Sequence, residues 1–207
     1  MSCKTHGARC HGHAAAAKDD RAVLEIEELE RLTVACKTPE EKAVLLLAYD
    51  LALRSAEISQ QTLEDVDLDA RAVACRRVKD GRISTIGISA RTRDALAPLM
   101  QGKTTRHIFP QWGPRRFQRW FVSLVKRCGL PATPGRPGNK SYSHVLRRSR
   151  ATHLHEAGAE IKDIQRRLGH KSAKTTLLYL GLTEKRKQLV DSMAAAILDG
   201  PDSPPQT

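Results

Sequence analysis

The 207-residue sequence has no apolar run approaching the ~18 residues that a membrane span requires. Its richest stretch, "EKAVLLLAYDLAL", is interrupted by Asp50 and reads as a buried helix. A secretory leader and a disulfide framework are also lacking: the five cysteines, Cys3, Cys10, Cys36, Cys75 and Cys128, are widely scattered, which fits a reducing cytoplasm. Negative charge is scarce. There are 23 Asp+Glu against 35 Lys+Arg, for a formal charge of +12. These shortages argue against a membrane protein and a secreted scaffold, and they point to a polyanion, nucleic acid first, as the partner.

The positive excess is concentrated between Arg76 and Arg93, Arg115 and Arg127, and Arg136 and Lys187, whereas acidic residues dominate from Asp19 to Asp69. One basic face is the expected result, and such a face binds phosphates in a salt-dependent way. The N-terminus "CKTHGARCHGH" brings together Cys3, His6, Cys10, His11 and His13, which are zinc-ligand types. Their spacing matches no standard finger and the alanine run that follows reads as a linker, so a tail without metal is expected. The length suits one domain with ragged ends. We place a tail at 1–19, the domain at 20–199 and a second tail at 200–207.

Patterning predicts an α+β domain, mainly α, in which a helical bundle carries a small antiparallel sheet near residues 66–88. A short acidic helix is expected from Asp20 to about Glu30. The next begins at Pro39 behind a Thr38 cap and has Arg54 at its C-terminal end. A short helix capped by Ser55 follows. Then β-branched residues alternate in "RAVACRRV" and "RISTIGIS", joined through an Asp80-Gly81 turn that carries Lys79. Helical patterning returns over Ala90–Met100 and Gly113–Cys128. After the Pro/Gly-rich loop "GLPATPGRPGNKSYS", one helix opens behind Ser143 and stops at Gly158, and a second stops at Gly169. A last helix carries an apolar stripe of Leu189, Val190, Met193, Ala196 and Ile197.

Within this frame "HVLR" places His144 and Arg147 three residues apart, on one helix face. "RRLGHKSAKTTLLYLG" then sets His170 after Leu168-Gly169, followed by Thr175-Thr176 and Tyr179. Taken alone, the first pair also reads as a solvated basic face, His170 as a helix cap and Tyr179 as a core aromatic.

The whole stretch "SHVLRRSRATHLHEAGAEIKDIQRRLGHKSAKTTLLYL" resembles the C-terminal motif block of tyrosine recombinases, the family of phage integrases, Cre and the Xer proteins. "LALRSAEISQQTLEDVDL" resembles that family's first box and supplies Arg54 and Glu57. The basic hairpin falls where the family carries its lysine, matching Lys79. The likeness runs from about Leu32 to Leu182, with Ala52 where the family usually has glycine.

The resemblance implies a tyrosine-recombinase catalytic domain, without the usual N-terminal core-binding domain, that cleaves and rejoins DNA through a 3′-phosphotyrosyl intermediate. Its catalytic set would be Arg54, Lys79, His144, Arg147, His170 and Tyr179, with Glu57 orienting a basic group. No cofactor or metal is implied, since the sequence offers no carboxylate pair for magnesium beside these residues.

The partners implied are double-stranded DNA and further copies of the chain, as a tetramer on paired sites, with accessory DNA-bending proteins admitted. The location implied is the cytoplasm, at the nucleoid. Arg115, Arg116, Gln118 and Arg119 are candidate groove contacts, with a solvated helix face as the alternative. A type IB topoisomerase-like nicking-closing enzyme and a catalytically silent DNA-binding regulator of the same fold are the other readings.

Overall fold

The computed structural model describes residues 23–77, 83–130, 143–170 and 176. Helix α1 (Ile26–Val34) begins later than expected and runs further. Leu24 and Glu25 are not yet helical, and the Glu28 carboxylate accepts the Glu25 backbone N–H at 2.9 Å, so helical hydrogen bonding starts only there. Leu29 and Leu32 turn inward, and the Leu24 N–H donates to Ser149 Oγ at 2.8 Å, pinning the start of α1 to a distant helix.

Helix α2 (Pro39–Asp50) opens as anticipated, with Pro39 in its first turn and the Thr38 hydroxyl accepting the Glu41 N–H at 3.1 Å. Every residue from Ala43 to Asp50 is buried, which explains a nearly continuous apolar run in place of a helical stripe. The helix stops at Asp50, short of Arg54. Leu51 caps it, and Ala52 then takes φ +50°, in the left-handed region, which redirects the chain into α3 (Ser55–Ser59). The cap of α3 is Arg54 and not Ser55: the Glu57 carboxylate reaches back to accept the Arg54 N–H at 2.9 Å, which satisfies that orphan donor.

A 3₁₀ turn (Leu63–Asp65) leads into a three-stranded antiparallel sheet, β1 (Val66–Asp67), β2 (Ala72–Arg76) and β3 (Ile83–Gly87), in sequence order. Val73 pairs with Ile86 and Cys75 with Ser84. Val73, Cys75 and Ile86 are buried, and Arg77, next in the same alternation, is buried as well. The Lys79 hairpin tip lies outside the described residues.

Helix α4 (Ala90–Met100) packs on α2, and α5 (Pro114–Arg127) turns Phe117, Phe121, Leu124 and Val125 inward. Helix α6 (Ser143–Glu156) takes Ser143 as its first residue and not as its cap. It lies against α2 and α7 (Ile161–Leu168). The main core spans α1 to α6. A second, smaller cluster of Ala52, Ala151, Ile164 and Leu168 joins the turn after α2 to α6 and α7.

Candidate active site

At the junction held by that small cluster lie Arg54, Glu57, Arg147 and His170. Arg147 is 1% exposed. Its Nη1 donates to the Ala52 carbonyl at 2.5 Å and its Nη2 to the Leu168 carbonyl, so one planar fork ties the turn before Arg54 to the turn before His170. A lysine, with a single ammonium on a flexible stem, does not reproduce that two-point geometry.

Arg54, partly exposed, donates from Nη1 to Glu57 Oε1 at 2.8 Å. Glu57 is wholly buried, and its other oxygen takes Arg77 Nη1 at 3.2 Å. Burial pushes the Glu57 carboxyl up, but the Arg54 backbone N–H and the Arg77 and Arg54 guanidiniums outweigh it, and the net shift is downward. Glu57 therefore stays ionised and acts as an anchor between two arginines.

His170 follows the left-handed Gly169 (φ +61°), which ends α7. The His170 N–H donates to the Gln165 carbonyl at 3.1 Å, and Gln165 Nε2 donates to the His170 carbonyl at 3.0 Å, so the turn is fixed from both sides. The ring is 9% exposed, with Nδ1 3.0 Å from Thr176 Oγ1. Burial is the largest cause pushing its pKa down to about 4, followed by the positive charges of Arg147, Arg54, Arg77 and His144. His170 is thus a neutral ring near neutral pH, able to donate one hydrogen bond while Thr176 fixes its orientation. The bond from Arg147 to the Leu168 carbonyl places the His144–Arg147 segment of α6 beside the Leu168–His170 turn.

Arg54, Glu57, His144, Arg147 and His170 accordingly form one cluster, while Lys79 and Tyr179 lie outside the described residues. The proposed groove contacts Arg115, Arg116, Gln118 and Arg119 are all exposed on α5, away from this cluster in sequence, and Arg116 stacks on the Trp112 ring at 5.0 Å.

Two residues of the site escape motif reading. Arg77 is one, and its signal is the strand alternation that puts it on the same face as Val73 and Cys75. The other is Asp50, whose only visible sign is its place in an apolar run. Its carboxylate accepts from the Ser89 N–H at 2.8 Å, Thr92 Oγ1 at 2.9 Å and Arg150 at 3.0 Å. Its carbonyl accepts from Arg167 Nη2 at 2.8 Å, so Asp50 locks α2, α4, α6 and α7 together. A cavity of about 870 Å³ between β3 and α7 is lined in part by Arg77, Gly169 and His170.

A mainly helical domain with a three-stranded sheet and a buried arginine–histidine cluster is the architecture of a tyrosine-recombinase catalytic domain. A family model described as the phage integrase family matches residues 22–186, and the chain belongs to that family. Tyrosine recombinase XerA of Saccharolobus solfataricus is 26% identical over 181 residues, covering 86% of this chain and 59% of that relative. The chain therefore spans less than two thirds of that relative's length. Among solved structures, a XerA recombinase aligns with TM-score 0.68 at 23% identity over 83% of this chain and 64% of that one. The XerH site-specific recombinase bound to its palindromic difH substrate, in a post-cleavage complex, aligns with TM-score 0.67 at 18% identity over 86% and 53%. No helix among the described residues is long and apolar enough to cross a membrane.

Proposed function

We propose that the chain is the catalytic part of a site-specific DNA recombinase that cleaves and rejoins strands through Tyr179. The observation that carries this reading is the convergence of Arg54, His144, Arg147 and His170 on one junction, in a chain whose tyrosine follows at the family's spacing. In the proposed reaction the Tyr179 oxygen attacks the scissile phosphorus, loses its proton to His144 and forms a 3′-phosphotyrosyl bond. The bond to the 5′ oxygen breaks, and that oxygen takes a proton from Lys79. A 5′-hydroxyl from another strand then reverses the sequence. Arg54 and Arg147 stabilise charge on the non-bridging oxygens, and neutral His170 donates one further hydrogen bond.

The basic surface supports double-stranded DNA as the partner, with Arg115, Arg116, Gln118 and Arg119 reaching the groove from α5. We extend the reading to a tetramer on paired sites, served by accessory DNA-bending proteins at the nucleoid. The test is a nicked duplex carrying the cognate site, incubated with the protein and resolved on a denaturing gel. A covalent adduct is expected from the parent. Tyr179→Phe should abolish it while binding persists, because the change removes the nucleophilic oxygen and little surface. An adduct from the phenylalanine variant would overturn the assignment.

A further inference from the structure

We infer that Arg77, which no family motif in this chain includes, is a positioning residue that fixes Arg54 and His170 relative to each other. This rests on the reading of the site given above. Arg77 is 2% exposed and stands where β2 has ended, yet its side chain continues the inward alternation of Val73 and Cys75. Buried arginines persist where their donors are matched, and of the three Arg77 nitrogens the two Nη atoms are, while Nε is buried with no acceptor among the described residues. Here Nη1 donates to Glu57 Oε2 at 3.2 Å and Nη2 to the Arg167 carbonyl at 2.5 Å. The first partner is the carboxylate that holds both the backbone and the guanidinium of Arg54. The second belongs to the last turn of α7, three residues before His170.

Steric fit adds an independent constraint. A Cβ on Gly169 would lie 2.8 Å from Arg77 Nε, closer than such atoms approach, and 3.0 Å from its Cδ, a tight contact. With its two Nη atoms anchored, the Arg77 stem has little room to yield. Glycine at 169 thus serves two needs, its left-handed backbone and the passage of Arg77 beneath the turn. Arg77 thereby spans from the first box to the Leu-Gly-His turn along a path separate from Arg147, which bonds the carbonyls of Ala52 and Leu168.

Loss of Arg77 changes the site in a definite direction. Glu57 remains buried and ionised with Arg54 as its one remaining guanidinium partner among the described residues, so Arg54 is drawn toward the carboxylate and away from a phosphate. The Arg167 carbonyl loses its donor, and the Gly169–His170 turn is freed on that side.

The test compares Arg77→Met and Arg77→Lys in the full chain by two measurements. Without DNA, the Arg54, Gly169 and His170 resonances of isotopically labelled protein should shift in the Met variant, while those of the Tyr49–His153 pair, bonded at 2.7 Å between α2 and α6, stay in place. With the nicked duplex at saturation, covalent linkage should slow by about 10- to 100-fold with affinity for the duplex unchanged. The Lys variant, which keeps the charge and one donor, should recover part of that rate. Unmoved Arg54 and His170 resonances in a folded variant would overturn the inference, as would a defect confined to DNA affinity. If the Met variant does not fold, the same measurements on the Lys variant decide. If the parent forms no adduct, the proposed function fails, while the resonances still decide the role of Arg77.

Discussion

Two groups of arginines in this chain share a side chain and little else. Arg77 and Arg147 are buried and Arg54 is partly exposed, each tied to a carboxylate or to backbone carbonyls. Arg115, Arg116 and Arg119 stand exposed along the first half of α5. For the exposed group, long-range attraction to a polyanion is the available mode, screened by salt and tolerant of small displacements. In the buried group each guanidinium is held by specific acceptors, and geometry matters more than charge. The difference predicts that charge-conserving substitutions are costly in the junction and mild on α5.

The largest effect should come from Arg147→Lys. Keeping the charge and losing the fork should slow covalent linkage by at least about 10²-fold, the scale for removing one preorganised donor from a charged transition state. One of the two carbonyl contacts also goes, so a loss of about 1–3 kcal/mol in urea unfolding is expected. Arg119→Lys, by contrast, should leave both quantities near parental values. Equal sensitivity at the two positions would erase the distinction between the groups.

The buried group also imposes a pH dependence. His170 has its pKa depressed to about 4 from an ordinary 6.5, so the unfolded chain binds the proton more readily than the folded one. The stability this contributes is fully present above pH 6.5 and is lost as pH falls toward 4, by up to about 3 kcal/mol. His153, also depressed chiefly by burial, acts in the same direction. Unfolding across this window should show a shallower slope in His170→Gln than in the parent. Identical slopes would mean that burial and the neighbouring positive charges do not hold the His170 ring neutral in the folded chain.

On α5 the expected effect is smaller and purely ionic. Arg115→Ala with Arg119→Ala should lower the slope of log affinity against log salt by about 1 for each arginine removed. Covalent linkage at saturating duplex should be unaffected. A slope unchanged from the parent would remove this face from the DNA surface.

Much of the buried site was legible because its chemistry is written in short-range spacings. His144 and Arg147 share a helix face by their separation alone, Gly169 signals the stop of α7, and Thr38-Pro39 signals the start of α2. What the spacing did not give depends on tertiary partners. Helix α1 starts where Glu28 can reach back to Glu25, not where acidic residues begin. Arg54 caps α3 because a buried Glu57 accepts its N–H. Asp50 looked like an interruption of an apolar run, and only the donors arriving from Ser89, Thr92, Arg150 and Arg167 make it a hub. Arg77 was hidden by its company: among the basic residues near a hairpin, one buried arginine looks like the exposed ones until the strand alternation is followed past the end of β2.

Ala52 offers the smallest effect and the sharpest test of how the buried junction is balanced. Its φ of +50° costs an L-residue about 1–2 kcal/mol relative to ordinary backbone, a strain that glycine escapes. Against that, glycine in the unfolded chain has more freedom to lose, about 0.5–1 kcal/mol. The methyl group is also wholly buried against the cluster of Ala151, Ile164 and Leu168, and removing one such group forfeits about 0.8 kcal/mol. The gain and the two losses are of equal size, so Ala52→Gly should change stability by less than about 1 kcal/mol in either direction. Because the Ala52 carbonyl receives Arg147, the same variant reports on function: with the backbone path preserved, linkage should stay near the parental rate. A clear gain in stability would show that the left-handed strain dominates the junction. A large drop in rate with stability held would show that the methyl group, and not the carbonyl alone, sets where Arg147 points.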